Sequence, residues 1–479
     1  MTDPAPRAAP ARIGRVAALA LGLAGAILAL AVVRIAVGGW APVAADDARY
    51  VFVGESVIDG DGPLTPSGTV FLLRSPVYGV ALAAGGRIGG GDVLSGARLV
   101  ALVLSIAALL GAVAYGWLLR GPTAAIATAV ALAAIPLVWS LVPTLRIDLP
   151  QTAGVVATLL ALHRPTTRRW ALAGALLGLT VLVKETAALL ALLPIAWLGV
   201  LSRGRLLRLW AVYLGVAVAV AAWWWIAVWW QSGQLFPLNA LAVIEARDVG
   251  GAIHVDRYAA LLLALAVGAW ATVALAAGRD PALRPLLVAG ACLLPPAAYA
   301  IANGLNARNE VGPAVLSAIA AGVAAAILLG RVPRHRRALA RGAIAAGALA
   351  VGTLALVAVG QLRVETPRDT GLAAEVAGWL REHAPAGASA SMTFFDNDAV
   401  AIHLDGEVEL PNLPPARVEA GDDPGDYVWM GLRDRQLFGY RRQDWIAALS
   451  GPGSFGLVLA GPHPLTPAEL LDDLDAGRV

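Results

Sequence analysis

Cysteine and lysine are nearly missing from this chain: Cys292 and Lys184 are the only ones in 479 residues, and charged residues of all kinds make up 14%. One cysteine excludes a disulfide framework, so any part of the chain outside a membrane is held by its own apolar core. Scarce charge, 58% hydrophobic residues and a mean hydropathy of +0.70 together exclude an ordinary soluble domain. No H-E-x-x-H or comparable ligand spacing occurs among the histidines. No dedicated metal site follows from the sequence, although the chemistry stays open to a divalent cation. No tandem repeat of fixed period is present.

Long apolar runs are abundant. They centre on residues 16–37, 97–119, 123–142, 149–162, 170–183, 186–201, 209–230, 259–277, 286–301, 311–329 and 343–359. The expectation is a polytopic α-helical membrane protein of about eleven transmembrane helices. The fourth to sixth runs fall short of the roughly 17–25 residues a span needs, which predicts broken helices or spans extended by flanking polar residues. The first run follows Arg7, Arg12 and Arg15 and precedes Val43-Ala44-Ala45. It is longer than the roughly 7–15 residues of a signal-peptide core, so it is read as a retained span.

Arginine sets the orientation. It gathers on alternate loops, at Arg120; at Arg164, Arg168 and Arg169; at Arg203, Arg205 and Arg208; at Arg279 and Arg284; and at Arg331, Arg334, Arg336, Arg337 and Arg341. Such loops stay cytoplasmic. The expected protein lies in the plasma or inner membrane with its N-terminus inside. Its first loop (38–96) and everything after Val359 then lie outside. The isoelectric point near 9.2 follows from this asymmetry, and nucleic acid is not an expected partner.

Two domains are expected: residues 1–361, transmembrane, and residues 362–479, a small extracytoplasmic α/β domain. The tail is polar, with helix patterns at 369–383, 398–404, 442–449 and 467–474 and strand patterns at 390–395, 427–432 and 454–459. That alternation predicts one compact α/β layer.

Ionisable residues in and beside the spans carry the functional signal, because charge near a bilayer is costly and retained mainly for function. Asp46 and Asp47 follow the first span in Asp-Asp-Ala-Arg-Tyr; Arg74, Arg98, Arg146, Asp148, Lys184, Glu185 and Arg308 fall on the same predicted outer side. Consecutive helical positions point about 100° apart, so Lys184 and Glu185 are expected to reach other helices rather than each other. Bland readings stand beside these. Arg34 snorkels, Arg98 and Asp148 fix helix packing, and the tryptophans at 223–225, 229 and 230 form an interfacial belt rather than a ligand cage.

The string Asp46 to Ser56, then Gly60-Asp61-Gly62-Pro63-Leu64, then Arg74-Ser75-Pro76-Val77-Tyr78, then Gly96-Ala97-Arg98-Leu99 resembles the first outer loop of the GT-C membrane glycosyltransferases of the protein O-mannosyltransferase and aminoarabinose-transferase type. Arg146-Ile147-Asp148 and Leu182-Val183-Lys184-Glu185-Thr186 resemble later motifs of that family. The likeness covers residues 1 to about 330. Arg74-Ser75-Pro76 stands where Lys-Pro-Pro is usual, and Asn309-Glu310 follow Arg308 where an aromatic is common.

The resemblance implies an inverting transferase that moves a sugar from a polyprenyl-phosphate carrier to an extracytoplasmic hydroxyl on a glycan, lipid or protein. It implies Asp46 as general base with Asp47 as runner-up or orienting acid. Arg74, Arg146, Lys184 and Arg308 are then the cations for the phosphate, with Tyr50, Tyr78, Asp148 and Glu185 also lining the substrate site. A transporter or lipid flippase is the alternative, although the paired half-repeats of that class are not visible; a membrane-anchored scaffold explains the tail but not the charges.

The topology is open to direct test. With single cysteines at Thr166 and Ala390, a membrane-impermeant thiol reagent should label position 390 and spare 166 in intact cells; the reverse pattern overturns the orientation.

Overall fold

A computed structural model describes residues 10–41, 43, 45–65, 70–89, 93–233, 257–302 and 311–332, together with 381, 390–391 and 427–428. The chain is a helical bundle. Its helices are α1 (Pro10–Gly38), α2 (Ala45–Asp59), α3 (Val77–Ile88), α4 (Val93–Ala133), α5 (Pro136–Leu141), α6 (Asp148–Leu162), α7 (Thr167–Val183), α8 (Arg203–Ser232), α9 (Arg257–Ala277), α10 (Arg284–Ala302) and α11 (Val311–Arg331). A 3₁₀ segment, Glu185–Trp197, follows α7.

Among the described residues, four helices are long and apolar enough to cross a membrane: Ala17–Gly38, Val93–Ala133, Arg203–Ser232 and Val311–Arg331. The other described apolar runs also fall on helices, but the run at 123–142 is divided. The helix ends at Ala133, and Pro136, which has no backbone N–H to give, opens the short α5. Inside α4, Arg120 and Gly121 leave helical geometry and Gly121 takes φ +72°, a conformation that glycine tolerates best. The run at 343–359 lies outside the described residues.

The three short runs are short as helices. At about 1.5 Å per residue, α6 and α7 are roughly 22–26 Å long, less than the roughly 30 Å of a bilayer core. The segment after α7 takes 3₁₀ geometry, and its Pro194 cannot donate an α-helical hydrogen bond. With one end of α6 and α7 at a membrane surface, the other falls short of the opposite surface.

One large apolar core runs through α4, α6, α7, α8 and α11, with Tyr115, Leu159, Trp170, Leu190, Tyr213 and Ile319 fully buried. Two small clusters lie towards the Lys184 end. One joins Tyr50, Val51, Tyr78, Leu82, Ala97, Leu145 and Ile147. The other joins Leu182, Ala221, Trp224 and Val228, with Leu72 and Val77 packed on it. Trp224 is thus core, while Trp223, Trp229 and Trp230 are exposed as a belt requires. In the tail, Ala390–Ser391 pairs in parallel with Tyr427–Val428, the starts of two expected strands.

Helices α2 and α3 cross at glycines. A Cβ on Gly79 would sit 2.2 Å from the Tyr50 carbonyl oxygen, and one on Gly54 would sit 2.0 Å from that of Gly79. Gly79→Ala must therefore part the helices. It should cost about 1–3 kcal/mol in thermal unfolding of the solubilised protein. Gly22→Ala, with nothing within 4 Å of the added methyl, should be silent; equal stability for both variants contradicts the close crossing.

Candidate active site

Helix α2 brings the acid pair to the bundle. Asp46 and Asp47 sit in its first turn, where the dipole's positive end favours carboxylates. Residues Asp46, Arg49 and Tyr50 share one face at i, i+3 and i+4. The side chain of Asp46 lies outside the described residues, as does Arg308. Asp47 is buried, and its Oδ1 lies 3.4 Å from Nε of Arg146. That is a charge pairing too long for a strong hydrogen bond.

Arg146 is presented by the turn that precedes α6. Two residues on, Asp148 opens α6 and accepts a 2.7 Å hydrogen bond from Lys184 Nζ. Both partners are deeply buried, at 2% and 8% relative exposure. Lys184 stands in extended geometry between α7 and the 3₁₀ segment. Lys184 and Glu185 do not pair with each other: Lys184 reaches across to α6, and Glu185 lies within the electrostatic reach of both Arg74 and Lys184. Beside them, Gln151 Nε2 donates to Thr186 Oγ1 at 2.8 Å.

Arg74 donates to the Tyr50 hydroxyl and lies over the Tyr50 ring, 5.9 Å from its centroid. Tyr50 meets Tyr78 edge to face at 5.7 Å. The Tyr78 hydroxyl donates to the Leu145 carbonyl at 3.0 Å, which ties α3 to the turn carrying Arg146. Burial first, then Asp47, Tyr50 and Asp148, hold this phenol well above its ordinary pKa. Tyr78 is therefore a neutral donor to the backbone, within electrostatic reach of two carboxylates.

Two arginines frame the site, Arg49 unforeseen and Arg98 in the packing role read for it. Arg49 is buried on α2 with its guanidinium 6.0 Å from the Phe71 ring centroid; its spacing of three from Asp46 was the available signal. Arg98, read as a packing residue, donates to the Ala41 carbonyl at 3.3 Å and lies 5.7 Å from the Trp40 ring centroid. It holds the strand of chain entering α2, whose Ala41 N–H in turn donates to Pro143 O at 3.1 Å. Asp47, Tyr50, Arg74, Tyr78, Arg146, Asp148, Lys184 and Glu185 thus form one cluster drawn from five chain segments. Such a site, its cations and carboxylates nearly balanced and its rim formed by apolar helix ends, can set preorganised positive groups against a lipid-linked anion.

Comparisons with known proteins agree in kind. The model of the dolichyl-phosphate-mannose-protein mannosyltransferase family matches residues 74–230. That stretch holds Arg74, Tyr78, Arg146, Asp148, Lys184 and Glu185 and stops short of the acid pair on α2. The structure of ArnT from Cupriavidus metallidurans bound to undecaprenyl phosphate is similar at TM-score 0.60 and 16% identity, over 98% of this chain and 95% of that one. Its apo state gives 0.61 and 14%, over 97% and 95%. The Archaeoglobus fulgidus oligosaccharyltransferase in the apo form gives 0.55 and 14%, over 85% and 66%. No curated protein matches the sequence.

The buried ion pair makes Lys184→Ala a poor isolated test of phosphate binding, because it removes a structural contact as well. Lys184→Met strands a buried carboxylate and should lower stability by about 3–5 kcal/mol. Adding Asp148→Asn should recover much of the loss. Equal unfolding midpoints for wild type and Lys184→Met would contradict the pair.

Proposed function

From the GT-C membrane-glycosyltransferase fold of this chain, we propose that it transfers a sugar from a polyprenyl-phosphate carrier to a hydroxyl acceptor on the extracytoplasmic side, with inversion at the anomeric carbon. The observation carrying this reading is the gathering of acid-bearing α2, Arg74, Arg146 and Lys184 at one end of a short-helix bundle. A lipid carrier can present its phosphate there while its chain stays among apolar helix ends.

In this reading Asp46 accepts the acceptor hydroxyl's proton as that oxygen attacks the anomeric carbon. The bond from the anomeric carbon to the phosphate oxygen breaks on the opposite side, and its electron pair stays on the phosphate. Arg74, held against the Tyr50 hydroxyl at the edge of the cluster, meets the growing negative charge. Arg146 and Lys184 add positive potential while holding Asp47 and Asp148 in place. Asp47 orients rather than abstracts, because its carboxylate is already buried against Arg146. Arg308 joins the phosphate contacts by family position. Residues 1–361 carry the chemistry, and the outer domain at 362–479 helps choose the acceptor.

Asp46→Asn keeps size and hydrogen bonding while removing basicity. Transfer from a polyprenyl-phosphate sugar by purified enzyme should fall at least about 10²-fold with donor binding retained. Arg74→Ala should instead weaken donor binding as well as turnover. Full activity in Asp46→Asn and Asp47→Asn alike would remove the mechanism; loss in Asp47→Asn alone would reverse the two acids.

A further inference from the structure

We propose that the face of the bundle opposite the charged cluster is a binding platform for anionic phospholipid headgroups. Helices α6 and α7 run from Asp148 and Lys184 to this face, roughly 22–26 Å away. Four loops meet there and are tied together. Arg205 Nη2 donates to the Pro165 carbonyl at 3.1 Å, Arg284 Nη1 donates to the Leu198 carbonyl at 3.1 Å, and Arg120 pairs with Asp280. Asp280 is the only carboxylate in these loops, and besides its pair with Arg120 it accepts from the Ala282 N–H at 3.0 Å. Arg164, Arg168, Arg169, Arg203, Arg208 and Arg279 are exposed around it. The platform is thus rigidly joined and strongly cationic.

The placement of these arginines is more specific than topology requires. A positive-inside bias counts charge anywhere within about 15–20 residues of a span end. Here Arg168 and Arg169 occupy the first turn of α7, Arg203 and Arg205 that of α8, and Arg284 opens α10, with no acid in any of the three turns. Helix N-termini carry partial positive charge, so each such arginine is unfavourably placed unless an anion sits with it. A phosphate relieves both the side chain and the helix end.

Depth selects the source of that phosphate. The half-buried Trp117 and Trp210 lie within three residues of Arg120 and Arg208. Tryptophan settles at headgroup level. The phosphates at that height are those of lipids, and several arginines converging there favour a net-negative headgroup over a zwitterionic one. The site is separate from the proposed transfer chemistry and stands without it.

The test uses the full chain, purified in detergent and titrated with phosphatidylglycerol or phosphatidylcholine under native mass spectrometry. Phosphatidylglycerol should bind at least about tenfold more tightly, weaken with added salt, and lose about tenfold or more in R168Q/R169Q/R203Q. R87Q, which removes an exposed arginine of α3 paired with Asp59, should bind as wild type does. Equal affinity for the two lipids, salt-independent binding, or undiminished binding in the triple variant overturns the proposal. Displacement by millimolar inorganic phosphate would likewise overturn it, by making the ligand a soluble anion. If the triple variant fails to fold, the lipid preference and salt dependence of the wild type decide.

Discussion

A charge buried among apolar helices must be neutralised where it stands, and the pair of Lys184 with Asp148 meets that demand at the centre of this structure. The two residues close a 2.7 Å contact between the end of α7 and the start of α6. Asp148 lies in its helix's first turn, where the dipole favours a carboxylate, and Lys184 stands where α7 has stopped. The pair thereby fixes the end of α7 against the start of α6. The shortness of α6 and α7, the extended backbone at Lys184 and the 3₁₀ segment beyond it are consistent with that one constraint.

Around the pair the first loop folds down instead of standing off in water. The Gly54 and Gly79 crossing lets α2 lie close on α3, Tyr78 ties α3 to the turn before α6, and Arg98 ties the entry of α2 to α4. These three attachments set the acid-bearing turn of α2 over the ends of α6 and α7. The carboxylates and cations therefore share a site although they are up to about 140 residues apart in sequence. Preorganised charges of this kind lose little to reorganisation when a substrate develops charge.

Much of this was legible from residue spacing. The helical runs, the short central helices and the reach of Lys184 to another helix follow from hydropathy and helical periodicity, both local properties. The partner of Lys184 was not legible, because nothing local distinguishes Asp148 from Asp46, Asp47 or Glu185 as its acceptor. The link from Tyr78 to Leu145 O depends on a fold that no local pattern encodes. Arg49 was overlooked because an arginine beside acids reads as a solvated neighbour until helix α2 is seen to bury it. The division at 133–136 was available in Pro136 but was outweighed by continuous hydropathy.

The central claim is that the α2, α3, α6 and α7 cluster receives a lipid-linked phosphate, and an experimental structure of the chain with a bound polyprenyl phosphate tests it most directly. The account predicts phosphate oxygens within about 3 Å of the Arg74 guanidinium, on the side of the cluster facing the first turn of α2, with the prenyl chain among the adjoining helix ends. A phosphate held away from this cluster, with Arg74 still turned to Tyr50 and the Lys184 to Asp148 pair untouched by ligand, would contradict it.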